Sequence, residues 1–192
     1  MIPISVCIIT KNEARSLERC LAALQPFPME IVVVDTGSTD ASKETARKFT
    51  DKVFDFTWID DFSAARNYAA ACASHNIIFP VDTDEILTSL DWDALQTALT
   101  DNPQSVGHIK RLDYFEADTE TKCYEVMIER IYDKRYYHYE RPIHEVILPT
   151  ADIPYTSYET AVTLDHNGYL GDKEALKQKA ERNLALLYKE VE

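Results

Sequence analysis

Over the first hundred residues, four apolar bursts alternate with segments of helical period, and that alternation restricts the chain more than any other feature. "ISVCIIT" reads as a strand, and "NEARSLERCLAAL" after it carries Leu17, Cys20, Leu21 and Leu24 on one helical face, with Asn12 placed to cap it. "EIVVVD" is a second, β-branched strand; "TGSTD" turns the chain, and "ASKETARKF" is a helix with its cap expected between Ser38 and Asp40. "KVFDFTW" and "FSAARNYAAACASH" give a third strand and an Ala-rich helix, and "NIIFPV" gives a fourth strand. Pro80 should end that strand, because proline has no N–H to give to a sheet ladder. Such alternation favours a mostly parallel sheet flanked by helices.

After a short helix in "DWDALQTAL" the pattern changes. "SVGHIKRLDYFE", "YEVMIERIYDK", "YYHYERPIHEVIL" and "SYETAVTLDH" read as β segments rich in Tyr, Val and Ile, so a β-rich C-terminal half is expected. "DKEALKQKAERNLALLYKEVE" reads as an amphipathic terminal helix with Leu176, Ala180, Leu184 and Leu187 on one side. It reaches the last residue without a C-cap, as expected of a chain that continues into a longer protein. At 192 residues, with no repeat and no linker, residues 1–192 are expected to form a single domain.

The formal charge of −13 argues against sequence-independent nucleic-acid binding, which needs Lys and Arg to neutralise phosphates. An anionic ligand would need local help from a metal or a few basic groups. Cys7, Cys20, Cys72 and Cys123 form no CxxC pair and sit mostly in apolar stretches, which suits reduced packing residues in a reducing compartment. "MIPISVCIIT" lacks the basic lead and cleavage site of a signal peptide, and no run approaches the ~18 apolar residues of a transmembrane helix. A cytoplasmic address is the expectation.

"IIFPVDTDEIL" places two carboxylates, Asp82 and Asp84, at the mouth of an oily strand. Like charges so close are costly unless a cation or a partner compensates, and metal binding is the first expectation. In an open α/β sheet, ligands collect at the carboxyl ends of the strands, where the strand order reverses. Three polar clusters fall at such ends: "TKNE" after the first strand, "DTGSTD" after the second and "DTDE" after the fourth, with Arg66 one helix away.

The ordered set "SVCIITKNEARSLERCLAAL", "EIVVVDTGSTD", "FSAARNYAAACASHNIIFPVDTDEIL", "RPIHE" and "HNGY" resembles the family 2 glycosyltransferases of the GT-A fold across nearly the whole chain. It is similar in particular to a bacterial branch in which such a domain precedes helical repeats. Many members carry a second acidic residue where this chain has Thr36. The resemblance implies a nucleotide-binding half in residues 1–100, an acceptor-side β-rich half in 101–170 and a terminal helix in 171–192. It implies inverting transfer from a nucleotide sugar, UDP-linked, with Mg2+ or Mn2+ as cofactor and a glycan, a lipid-linked sugar or a peptide as acceptor.

By that resemblance Asp84 ligates the ion, Asp82 meets the ribose or the metal's surroundings, and His166 offers the metal a nitrogen. Glu85 orients the pair of acids, and Asp35 accepts from the uracil ring. Thr10 and Glu13 border base and ribose, Arg66 lends positive charge to the nucleotide, and Glu145, with His144 beside it, is the candidate base. Two alternatives compete. A haloacid-dehalogenase-like phosphatase also uses an oily strand delivering two acids, although its motif normally lies near the N-terminus. A nucleotide-sugar binding module without turnover would keep the same residues. A dehydrogenase and a P-loop enzyme are excluded by the absence of their glycine-rich loops, and "TKNEARS" is not the Gly-rich basic loop of a nucleotidyltransferase.

Overall fold

The computed structural model of the chain describes residues 1–117 and 120–169, together with residues 177, 180, 181, 183, 184, 187 and 188. Its elements follow in the order β1 (Ile4–Thr10), α1 (Ala14–Leu24), β2 (Glu30–Asp35), α2 (Ser42–Arg47), β3 (Val53–Asp55), α3 (Phe62–Cys72) and β4 (Ile77–Pro80). Then come β5 (Glu85–Leu90), α4 (Trp92–Asp101), β6 (Val106–Ala117), β7 (Glu120–Asp133), β8 (Tyr137–Glu140), β9 (Val146–Pro149) and β10 (Ser157–Tyr169). Eight strands form one sheet in the order β3-β2-β1-β4-β7-β6-β10-β5, and β8 pairs with β9 separately. The mixed α/β fold has a mostly parallel centre, as its alternating sequence led one to expect: β3, β2, β1 and β4 run parallel.

The period-2 alternation of β1 divides two cores. Ile4, Val6 and Ile8 pack with Leu17, Cys20, Leu21 and Leu24 of α1, with Ala46 of α2 and with Leu95 and Leu99 of α4. Cys7 faces the other way, into a core with Ala69, Ala70 and Ala73 and with the rings of Tyr132, Tyr137 and Tyr139. The tyrosines of "RIYDKRYYHYE" that are buried therefore serve packing, as β-rich aromatic strands usually do. Small alanines let α3 lie close to the sheet, which brings Arg66 under the strand ends.

β1 has β2 on one side and β4 on the other, so the strand order reverses there and leaves a crevice at the carboxyl ends. All three polar clusters open onto this end. The loops after β1 and β2 are laced together: Asn12 N–H donates to Ser38 Oγ at 2.9 Å, and Thr39 N–H donates to Asn12 Oδ1 at 2.7 Å. Gly37, at φ 105°, turns the second of these loops in a conformation that L side chains avoid.

Several expectations change. Asn12 does not cap α1; it sits at φ 56°, and α1 receives its caps from the neighbouring loop, where Ser42 Oγ accepts from Glu13 N–H and Asp40 Oδ2 from Ala14 N–H. Asn tolerates the left-handed region, and inter-loop pairing wins over local capping. The N-cap of α2 is Ala41, which has no polar side chain to cap with; Asp40, one residue earlier, accepts from Ser42 N–H through Oδ1 at 3.0 Å. β3 is shorter than its apolar run, and Pro80 is the last residue of β4 as expected. β5 was not expected, because "EILTSL" pairs only with distant β10 and opens on a buried acid, Glu85. Strands of 1–100 and 101–170 share one sheet, with β5 at its far edge beyond β10. In the terminal segment the described residues are helical; Leu176 lies outside them, Ala180 and Leu184 are exposed, and Leu187 is half-buried. Among the described residues no helix is long and apolar enough to cross a membrane.

Burial predicts a thiol ranking. It pushes Cys7 up to about 12 and raises Cys20 as well, with the carboxylates of Glu85, Asp82 and Asp84 adding to the latter. At pH 8 the thiolate fraction of Cys7 is then on the order of 10⁻⁴. Iodoacetamide at that pH should label exposed Cys123 and leave Cys7 and Cys20 intact until the protein is unfolded, as read by peptide mass spectrometry. Native labelling of Cys7 would contradict the packing of β1.

Candidate active site

A cleft of about 900 Å³ lies over the crevice, and seven of the eight expected site residues line it: Thr10, Glu13, Arg66, Asp82, Asp84, Glu145 and His166. The eighth, Asp35, is buried beside Thr10, its direct partner in the β1–β2 register. Asp35 Oδ1 accepts from the Gly37 and Ser38 N–H groups at 3.0 and 2.8 Å. Among the described residues Asp35 Oδ2 and Thr10 Oγ1 are buried without a hydrogen-bond partner. A buried polar oxygen left open is costly, and these two sit on paired strands, Thr10 at the cleft and Asp35 beside it. Thr36, in place of a second acid, turns its hydroxyl inward to Thr10 O at 3.0 Å.

The two acids of "DTDE" are resolved differently from one another. Arg66 Nη2 lies 2.8 Å from Asp82 Oδ1, and Arg130 Nη2 lies 3.1 Å from Asp82 Oδ2. Both Asp82 oxygens face guanidinium groups, and those cations compensate for the paired charges. Burial would raise the Asp82 carboxyl, but Arg66 and Arg130 outweigh it and hold it well below the usual carboxylate range. Asp84 faces His166 instead, with Oδ2 3.5 Å from Nε2.

His166 lies within β10, which continues to Tyr169, and the pairing of β10 with β6 is irregular between His166 and Tyr169. Gly168 lies in that irregularity, and a Cβ there would collide with the Asp84 carboxylate and the His166 ring. Only glycine lets the strand pass so close to the pair. Burial would lower the His166 pKa, yet the Asp84 and Asp113 carboxylates raise it above the ordinary imidazole value.

The network extends beyond the residues singled out in the sequence. Arg130 Nη2 also meets Glu85 Oε1 at 2.8 Å, Glu85 Oε2 accepts from Asp82 N–H at 2.9 Å, and Arg111 contacts Glu85 Oε1 at 3.4 Å. Glu85 is 0% exposed, and burial raises its pKa against the pull of Arg130. Glu85 thus ties the acids to β6 and β7, consistent with an orienting part. Arg130, Arg111 and Asp113 were missed; the available signal was charge within the apolar alternation of "MIERIY" and "IKRLDY". Arg130→Met should cost about 3 kcal/mol, because it takes from buried Glu85 its nearest cation and from Asp82 one of its two. A fall in the urea midpoint at constant slope would register this; an unchanged midpoint would contradict the pairing.

Glu145 is placed by the loop of residues 141–145 between β8 and β9. Arg141 and His144 adopt φ 77° and 51°, uncommon for residues other than glycine, and the loop is pinned by α3: Phe62 N–H donates to Pro142 O at 2.9 Å and Ser63 Oγ donates to Arg141 O. Ile143 is buried beneath it. Arg66 Nε donates to Glu145 Oε1 at 2.6 Å, so one guanidinium spans Glu145 and Asp82. Burial would lower the Arg66 pKa, but Asp82 and Glu145 hold the side chain firmly protonated. Lys11, Arg19, Arg66 and Arg111 all line the cleft, the local positive charge that a chain of net −13 needs to hold an anion. Trp58 and Phe62, edge to face at 4.8 Å, form an aromatic wall of the same cleft.

Among known sequences, the profile of the family described as Glycosyl transferase family 2 matches residues 5–152. A TPR repeat-containing protein of Synechococcus elongatus is 34% identical over 151 residues, covering 77% of this chain and 36% of that protein. The prophage-derived glycosyltransferase SunS of Bacillus subtilis is 25% identical over 192 residues, covering 93% of this chain and 43% of SunS. The chain therefore spans less than half the length of these two relatives. Among solved structures, residues 1–349 of S. aureus TarS in complex with UDP superpose with a TM-score of 0.53 at 22% identity, over 62% of this chain and 38% of that one, a likeness of fold.

Proposed function

The chain belongs to glycosyl transferase family 2, and we propose that it moves a sugar with inversion from a UDP-linked donor to an acceptor hydroxyl, using a divalent cation. The observation that carries this reading is the Asp84–His166 pair facing into the cleft that also holds Glu145 and Arg66. One carboxylate and one imidazole suit an ion such as Mn2+ or Mg2+, which binds through few protein ligands and completes its coordination with phosphate and water. Among the described residues no group of three or more His, Cys, Asp or Glu side chains is placed to hold a metal, so the cation of this reading takes the rest of its coordination from the nucleotide diphosphate and water. When bound, such an ion supplies Lewis-acid stabilisation to the departing diphosphate.

The chain's own residues do the rest. Asp35 Oδ2 is an acceptor suited to the N3–H of uracil, a ring position where cytosine carries a lone pair and has its only base-pairing-edge donor on the exocyclic amine. Thr10 and Glu13 border that position, and Lys11, Arg19 and Arg66 bring positive charge to the diphosphate. Glu145 takes the proton of the acceptor hydroxyl as its oxygen attacks the anomeric carbon, while the bond from that carbon to the diphosphate oxygen breaks. Asp82 holds no ion in this reading; it aligns Arg66 with Arg130. TarS, whose fold is similar, has been crystallised with UDP-GlcNAc, which supports a UDP-linked donor. A glycan, a lipid-linked sugar and a peptide all remain chemically suitable acceptors.

A thermal-shift panel of UDP, GDP, CDP and dTDP sugars, with and without Mn2+, tests the donor. UDP sugars with Mn2+ at about 100 times Kd should add about 2.7 kcal/mol, a rise of about 5–10 °C, with CDP sugars weakest. Equal shifts for cytosine and uracil donors, or shifts indifferent to Mn2+, would overturn the assignment.

A further inference from the structure

β6 carries a second charged pair behind the cleft that no expectation included. Arg111 and Asp113 are two residues apart and so share a face of the strand, and Asp113 stands directly opposite His166 in the β6–β10 register. Asp113 is 1% exposed. Its Oδ1 lies 2.7 Å from His166 Nδ1, Arg111 Nη2 donates to its Oδ2 at 2.9 Å, and Arg111 Nε lies 2.7 Å from Oδ1 as an ion-pair contact without hydrogen-bond geometry. An ionised carboxylate only accepts hydrogen bonds, so the contact requires the proton on Nδ1. The opposite edge, Nε2, is then the one presented to Asp84.

We propose that Asp113, clamped by Arg111, is a positioning residue: it holds His166 in the Nδ1–H form and aims the bare Nε2 at the cation shared with Asp84. The proposal rests on the cation assignment made above. What Arg111 adds is a fixed carboxylate: with Oδ2 taken by Nη2, Oδ1 is the oxygen left to meet the imidazole. Through its contact with Glu85, Arg111 also couples this arm to the Asp82 arm of the network.

Asp113→Asn is the informative variant. Beside Arg111 the amide oxygen turns to the guanidinium and the NH2 turns to Nδ1, which forces the proton onto Nε2, where a cation must bind. Binding of Mn2+ in the presence of UDP, read by loss of the free-ion electron paramagnetic resonance signal, should weaken by about 10–100-fold, and His166→Ala should weaken it comparably. UDP binding without metal should change little in Asp113→Asn, while the melting temperature falls with the loss of the Arg111 ion pair, so metal affinity is compared at a temperature where the variant is folded. If His166→Ala leaves Mn2+ binding intact, the cation assignment fails; if His166→Ala weakens it and Asp113→Asn does not, the positioning role alone fails. A measurement on the unaltered protein needs no variant to fold: two-bond 1H–15N correlations at about pH 9, above the usual imidazole range, should show His166 protonated at Nδ1. A neutral ring with its proton at Nε2 and Nδ1 bare would overturn the proposal.

Discussion

Asp84→Asn is expected to lower kcat/KM for sugar transfer by about 10³-fold or more, a loss of about 4 kcal/mol in the transition state. The substitution preserves the shape of the side chain but removes the charge that faces His166. Asp84 is partly exposed and lies outside the Arg66–Asp82–Arg130 chain, so the fold should survive: the melting temperature should stay within a few degrees. The defect should be worst at low Mn2+ and shrink as the ion is raised, because the affinity of the site rather than its architecture is what changes. Asp82→Asn gives the contrast. Its oxygens face two guanidiniums, so that variant should lose stability while retaining more of its response to Mn2+. If Asp84→Asn kept wild-type turnover at limiting Mn2+, the division of labour between the two acids would be wrong.

Glu145→Gln should lower kcat by about 10²–10⁴-fold, the range for loss of a positioned general base, and leave the affinity for the donor nearly unchanged. Glutamine keeps an oxygen to accept from Arg66 Nε, so the loop of residues 141–145 should hold its place on α3. What disappears is the capacity to take a proton. A merely structural role predicts another pattern: removal of the partner would free Arg66, and donor affinity and melting temperature would fall together. Steady-state kinetics with donor and acceptor varied separately, alongside donor titration by calorimetry, separates the two. Unchanged kcat in Glu145→Gln would move the base to another group of the cleft, with His144 the neighbour to test first.

The parts of the molecule that were legible in its sequence are those set by local pattern. Apolar period and β-branched runs located β1, β2, β4, α1 and α3, because each buries one face with residues at fixed spacing. The polar clusters after β1, β2 and β4 converge because the strand reversal at β1 brings their carboxyl ends together, a rule of topology that needs no coordinates. Pairing between distant segments was not legible. β5 finds its partner in β10, roughly seventy-five residues on, and nothing local in "EILTSL" announces it. The same holds for charge. Repulsion between Asp82 and Asp84 pointed to a compensating cation, but two of the compensating groups, Arg130 and the Arg111–Asp113 pair behind His166, lie on β6 and β7. Asn12 failed as a cap for a related reason, its loop being claimed by the loop after β2.

The central claim is that the cation belongs to Asp84 and His166, with Asp82 given over to Arg66 and Arg130. Anomalous diffraction at the manganese edge from crystals grown with Mn2+ and UDP reads this directly. The account predicts one strong peak bounded by the Asp84 carboxylate and the His166 Nε2 edge, with the Arg66–Asp82–Arg130 contacts intact. A peak on Asp82 with those guanidiniums displaced, or no peak in the cleft, would contradict it.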